Sequence, residues 1–297
     1  MQARLALGLA GVAAAAVYAA NAVYGAEKIT RRAPLLCDVE PECIAPDWET
    51  ARFRSRDGLR LEGWWFPAPR AHRALVLVHG HGQNRIDKNW GSDRIARAFL
   101  ERGCSVLVFD LRGHGASAPS RQSFGVREKD DVLGALDFVE RKGFAPRHIA
   151  FLGISYGGAS VLMAAPEMPG VGAIVADSSF AEVWPVIAAE IPRQQPLLGR
   201  LRPGPGIRLA ARVLHRIDLL RAAPVLVVAG IERPVLFIHG ANDAYVPPSH
   251  SERLHAISRH PGSALWLVPG AGHAETFTTA PDEFIARVAA FLDAHIT

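Results

Sequence analysis

The sequence predicts an α/β domain: a mostly parallel central sheet with helices on both faces, preceded by a separate apolar segment. Short apolar runs alternate with stretches of helical spacing, the pattern of strand–helix–strand units. The runs at 73–78 (RALVLV), 105–109 and 149–152 are apolar throughout apart from Arg73 and Ser105 at their starts, as strands covered on both faces are. The chemically suggestive side chains His81, Asp110, Ser155, Asp177, Asp243 and His273 each fall just after such a run, at the carboxyl ends where open parallel sheets carry their sites.

Composition narrows the class. Of 297 residues, 49% are hydrophobic, and 27 Gly with 21 Pro provide for many turns. This is a globular chain and not a disordered one. The net charge of +4 comes from scattered cations, with no basic run dense enough for nucleic-acid binding. Three cysteines cannot build a disulfide framework. Cys37 and Cys43 would pair only in an oxidising compartment; Cys104, just before a strand, reads as a core thiol.

Residues 5–24, LALGLAGVAAAAVYAANAVY, carry no charge and have about the 20-residue length that crosses a bilayer. Arg4 precedes them and Lys28, Arg31 and Arg32 follow, so the flanking charge leaves the orientation open. The leading expectation is a single-pass N-terminal membrane anchor. A signal peptide cut at Ala20-Asn21-Ala22, giving a secreted or periplasmic protein, competes with it, as does a buried helix of a soluble protein. The expected organisation is an anchor or signal segment at 1–26, a Pro-containing linker at 27–47 and one domain at 48–297.

Within that domain, residues 50–66 read as a hairpin turning at Asp57-Gly58. The strand at 73–78 ends in His79-Gly80-His81-Gly82, and Ile95, Phe99 and Leu100 mark the helix that follows. The strand at 105–109 ends in Asp110-Leu111-Arg112-Gly113-His114-Gly115. A helix over about 128–142 turns Val132, Leu136 and Val139 inward. Strands at 149–152, 171–176, 234–238 and 264–268 come next, and a helix at 281–295 closes the chain, with Pro281 in its first turn and Asp282 and Glu283 suited to its dipole. Residues 180–232 break the rhythm with several prolines and a helix at about 207–221. They read as a small cap insertion over the site.

The chemistry centres on Gly153-Ile154-Ser155-Tyr156-Gly157, between an apolar strand and a helix rich in small residues. Strand, G-x-S-x-G, helix is the nucleophile-elbow arrangement: a sharp turn projects the serine hydroxyl at a helix N-terminus. A serine hydroxyl needs a base. His273 can take its proton, and Asp243 can hold the imidazole tautomer. Asp177 is the competing acid; His239 reads as core packing beneath the Asp243 loop. The backbone N–H groups of Tyr156 and His81 are the expected oxyanion hole. Asp110, Arg112 and His114 read as structural pins of the neighbouring loop, and Trp64, Trp65 and Trp184 as packing. This chemistry requires no metal or organic cofactor. His79-x-His81 lacks further ligands at metal spacing, and Gly80-x-Gly82 lacks the third glycine of a nucleotide loop.

Taken together, these motifs resemble the α/β-hydrolase superfamily over residues 50–297. The resemblance rests on His79-Gly80, Asp110-x-Arg112-Gly113-His114-Gly115-x-Ser117, the Gly153–Gly157 elbow, Asp243 and His273, in the order Ser…Asp…His. Within it the chain is similar to single-domain bacterial serine hydrolases with an N-terminal hydrophobic anchor. It implies the α/β-hydrolase fold and cleavage of a carboxylic ester or thioester through an acyl-enzyme. The substrate would be a small acyl ester or thioester, lipid-derived if the membrane presents it. A serine peptidase or amidase, and a non-enzymatic small-molecule receptor on the same fold, remain the alternatives.

Overall fold

The apolar runs become eight strands of one sheet in the computed structural model, which describes residues 2–31, 34–194 and 203–296. They are β1 (Glu49–Arg54), β2 (Arg60–Phe66), β3 (Arg73–Val78), β4 (Cys104–Phe109), β5 (Ile149–Ile154), β6 (Ala173–Asp177), β7 (Val235–Gly240) and β8 (Ala264–Val268). Their order is β1-β2-β4-β3-β5-β6-β7-β8. β2 pairs antiparallel with both β1 and β4, and the pairs from β4 to β8 are parallel.

The alternation of side chains along each strand divides the core. Val76 and Val78 of β3 face one side with Phe109 and Phe151. Leu75 and Leu77 face the other with Val106, Val108 and Leu152. α3 (Lys129–Arg141) and α4 (Tyr156–Ala164) cover the first face through Val132, Val139, Ala159 and Leu162. α2 (Ser92–Leu100) and the last helix cover the second through Ile95, Phe99, Phe284 and Val288. The chain leaves β3 toward β4, then returns across β3 to β5. Crossovers of one hand running in opposite directions put their helices on opposite faces and open a crevice at the strand ends. The loop after β3 and the elbow after β5 border that crevice.

Between β6 and β7 the cap contains α5 (Val183–Gln194), α6 (Gly204–His215) and two short 3-10 turns, Pro224–Leu226 and Val228–Gly230. The helix expected over 207–221 starts earlier and ends at His215, because Arg216 turns left-handed at φ 56°. Residues 195–202 of the expected cap and 32–33 of the expected linker lie outside the described residues.

The N-terminal segment forms α1 (Gln2–Thr30), so helix continues past residue 26 into the stretch read as linker. Tertiary contacts hold that last turn. Arg121 pairs with Glu27 at 3.0 Å, and Gln122 N donates to Thr30 O at 2.8 Å. Cys37, Cys43 and Cys104 are all unpaired thiols. Downstream of β7 lie α7 (Ser249–Ile257), α8 (Thr276–Thr279) and α9 (Pro281–His295).

Candidate active site

Ser155 joins β5 to α4 in a strained backbone conformation, φ 50° and ψ −112°. A non-glycine residue held there costs about 1–3 kcal/mol, so the surroundings must impose it. They do so on both sides: Ser155 N donates to Asp177 O of β6 at 2.7 Å, and Ala159 N donates to Ser155 O at 2.9 Å. Gly157 permits the close crossing beneath. A Cβ there would lie 2.2 Å from the Val78 carbonyl oxygen and 2.5 Å from that of His79. The glycine thus lets the elbow touch the end of β3.

Two further strand ends bring the other groups in. Ala241 N donates to Val268 O and Asn242 N to Ala271 O, both at 2.9 Å, lacing the loop after β7 to the loop after β8. Across this seam His273 Nδ1–H donates to Asp243 Oδ2 at 2.7 Å. The ionised carboxylate can only accept, which leaves Nε2 as the acceptor. The Ser155 hydroxyl donates to it at 3.0 Å. Serine, imidazole and carboxylate, 118 and 30 residues apart in sequence, form one relay. The Asp243 side chain is fully buried, while that of His273 remains 22% exposed, so the relay opens outward at the imidazole end.

Burial alone would raise the Asp243 carboxyl. Hydrogen bonds from His239 and His273, and the two backbone donors Tyr245 N and Val246 N, overcome it and hold the group well below the usual carboxylate range. His239 is therefore more than packing. It is completely buried, its Nε2–H faces both Val246 O at 2.8 Å and Asp243 Oδ2 at 3.2 Å, and its Nδ1 accepts from Ser251 Oγ at 2.7 Å. Its place four residues before Asp243 is visible in sequence. The fold-back that turns the ring onto the carboxylate is not.

Asp177, the competing acid, lies elsewhere in the network. Its carboxylate accepts from Trp90 Nε1 at 2.9 Å, from Ser178 Oγ at 3.0 Å and from Thr276 Oγ1. Ser178 Oγ in turn accepts from Ala274 N at 3.4 Å. Asp177 thus ties the segment that carries His273 to the end of β6. Trp90 and Thr276 had no motif to mark them.

The loop after β3 is held just as closely. Burial pushes the His79 imidazole well below its ordinary range, so it is neutral. Nδ1–H donates to Gly80 O at 2.8 Å, and Nε2 accepts from Leu111 N at 3.0 Å. Gly80 N donates to Asp87 at 3.4 Å. The His81 ring stacks on Phe124, with centroids 5.3 Å apart, and lies 5.6 Å from that of Tyr156. The two residues read as oxyanion-hole donors are therefore neighbours at the crevice. Asp110 accepts from Arg85 N at 2.6 Å, Arg85 Nε at 3.0 Å and Ala116 N at 2.9 Å. Arg112 is buried between Asp131 and Asp57. Trp64 and Trp65 are buried in the core, and Arg208 lies over the Trp184 ring in the cap.

The model of the alpha/beta hydrolase family matches residues 75–287. YqkD of Bacillus subtilis (strain 168) is 30% identical over 241 residues, 80% of this chain and 76% of the relative. YfhR of Escherichia coli (strain K12) is 28% identical over 237 residues, 77% of this chain and 75% of the relative. Among solved structures, the Pyrococcus furiosus esterase Pf2001 superposes with a TM-score of 0.76 at 20% identity, covering 91% of this chain and 99% of that one. By the family match over most of its length and by its fold, this chain belongs to the alpha/beta hydrolase family.

Proposed function

We propose that the chain is a serine hydrolase that cleaves carboxylic esters or thioesters by way of an acyl-enzyme, and that α1 anchors it to a membrane. The observation that carries this reading is the Ser155–His273–Asp243 relay at 3.0 and 2.7 Å. Ser155 Oγ attacks the acyl carbonyl carbon as its proton passes to His273 Nε2. The leaving alcohol or thiol departs with that proton. Water then attacks the acyl-serine through the same imidazole, releasing the acid and restoring the hydroxyl. Asp243 stabilises the imidazolium, and the N–H groups of His81 and Tyr156 receive the negative oxygen, where losing one donor costs about 3 kcal/mol of barrier.

The anchor is supported by how α1 meets the domain. Leu9, Val12 and Val17 are exposed, although the segment is apolar on all sides, whereas Ala22 and Ala26 are buried against the domain. The apolar residues 5–24, all within α1, make about 30 Å of helix at 1.5 Å per residue, the hydrocarbon thickness of a bilayer.

A fluorophosphonate probe tests the chemistry. The folded full-length protein should label, and Ser155→Ala should abolish labelling and lower kcat on p-nitrophenyl esters by about 10⁶-fold. Folded protein that neither labels nor turns over any ester, thioester or anilide would favour a receptor on the same fold.

A further inference from the structure

One wall of the cavity beside the site comes from the N-terminal helix. A cavity of about 350 Å³ lies above the crevice, within the size range of small-ligand pockets. Its floor includes His81 and Tyr245, and the Tyr245 ring stands edge-on to that of His273 at 5.0 Å. Its cap side is Ile187, Ile191 and Ile207. Besides Phe124 and Glu190, the rest of its wall is the end of α1, Gly25, Lys28 and Ile29, with Arg31 just past the helix. We propose that the last turns of α1 form part of the substrate site, which draws the acyl ester of an anionic amphiphile sideways from the membrane surface. This rests on the serine-hydrolase reading above.

Three observations support it. First, α1 is built into the cap. A Cβ on Gly25 would lie 2.6 Å from Ile207 Cδ1, and one on Gly206 would lie 2.8 Å from Ala22 Cβ. Tyr18 Oη also accepts from Gly206 N at 3.2 Å. Glycines on both helices thus allow a close backbone approach, and the seam is a fitted contact. His215 Nε2 lies 2.9 Å from Glu27 at its far end. Second, the lining sorts by chemistry. Ile29, Ile187 and Ile191 make an apolar slot suited to an acyl chain, while Lys28 and Arg31 bring two exposed cations to its rim. The rim carboxylate, Glu190, is engaged by Arg193 at 2.6 Å, so the charge left for a ligand is positive. Third, the cations lie two to three helical turns beyond the protruding apolar half of α1. Long Lys and Arg side chains reach from there toward the headgroup level. On α6, Leu209 and Val213, four residues apart, are also exposed, 63% and 65%, which extends an apolar surface beside α1.

The test uses the full-length chain in detergent micelles. Substrates are p-nitrophenyl butyrate, p-nitrophenyl laurate and the anionic ester 4-lauroyloxybenzoate. Ile29→Trp, which fills the slot from the α1 side, should lower kcat/KM on the laurate by about tenfold or more while changing the butyrate by less than about threefold. Lys28→Glu combined with Arg31→Glu alters only exposed side chains. It should raise KM for 4-lauroyloxybenzoate about tenfold and change KM for the neutral laurate by less than about threefold. Fluorophosphonate labelling of Ser155 at the wild-type rate verifies that each variant is folded. Labelled variants with wild-type chain-length and charge preferences would overturn the inference and leave the serine-hydrolase reading intact. Wild-type protein that neither labels nor hydrolyses any of the esters would overturn both.

Discussion

At Asp243 one carboxylate serves two backbone donors on Oδ1 and two imidazoles on Oδ2. Its pKa is depressed in the fold, so the charge stabilises the native state above the unfolded value of about 3.9, and that contribution fades as pH falls below it. The stability difference between wild type and Asp243→Asn should shrink as pH falls below about 4. Urea midpoints across that range measure it. The same variant should lose about 10⁴-fold in kcat at neutral pH, because an amide in place of the carboxylate favours the wrong imidazole tautomer. In the proposed mechanism His239, 3.2 Å from Asp243 Oδ2, would act through that carboxylate as a positioning residue. His239→Phe removes a hydrogen bond to a charged group and should cost about tenfold in kcat. His239→Gln, which can present an N–H near the Nε2 position, should restore most of it. Equal losses in both, with unchanged pH profiles, would leave His239 a purely structural side chain.

Among the elements, the loop after β4 depends on charges placed inside the protein. Arg112 is 1% exposed and pairs with the fully buried Asp131 of α3 and with Asp57 of the β1–β2 turn. One guanidinium thus joins three elements behind the crevice. Arg112→Met would leave the Asp131 carboxylate buried without its partner, and such a deletion costs about 3–5 kcal/mol. Chemical denaturation should report a loss of this size, with the labelling of Ser155 reduced only as far as the folded fraction falls. The role of this loop as a pin is legible in its Asp-x-Arg-Gly-His-Gly run. Its partners are not, because Asp57 and Asp131 lie 55 and 19 residues away. Asp177 teaches the same lesson in reverse. Its position after a strand equals that of a catalytic acid, yet its neighbours Trp90, Ser178 and Thr276 occupy it.

For the whole molecule, the proposed anchoring by α1 is tested by fractionation. If residues 5–24 lie in a bilayer, the full chain should sediment with membranes and stay there through a high-salt wash, which removes proteins held by surface charge alone. Fractionation with detection of the N-terminus measures both this and cleavage. A mature chain beginning at Val23 would mean a released protein. Within this one helix Val12 is exposed and Ala26 is buried against the domain.

The sequence by itself determined the strand–helix alternation, the elbow around Ser155 and the strand ends on which Asp243 and His273 ride. Each of these is written locally, in hydrophobic period, glycine spacing and the residues that end a strand. Only the tertiary structure decided that His239 braces Asp243, that Asp177 ties down the His273 segment, and that α1 closes the cavity against the cap. Those outcomes depend on loops folding back and helices packing across long sequence separations. The hydrogen bonds and close contacts that select them exist only once the sheet has brought their partners together.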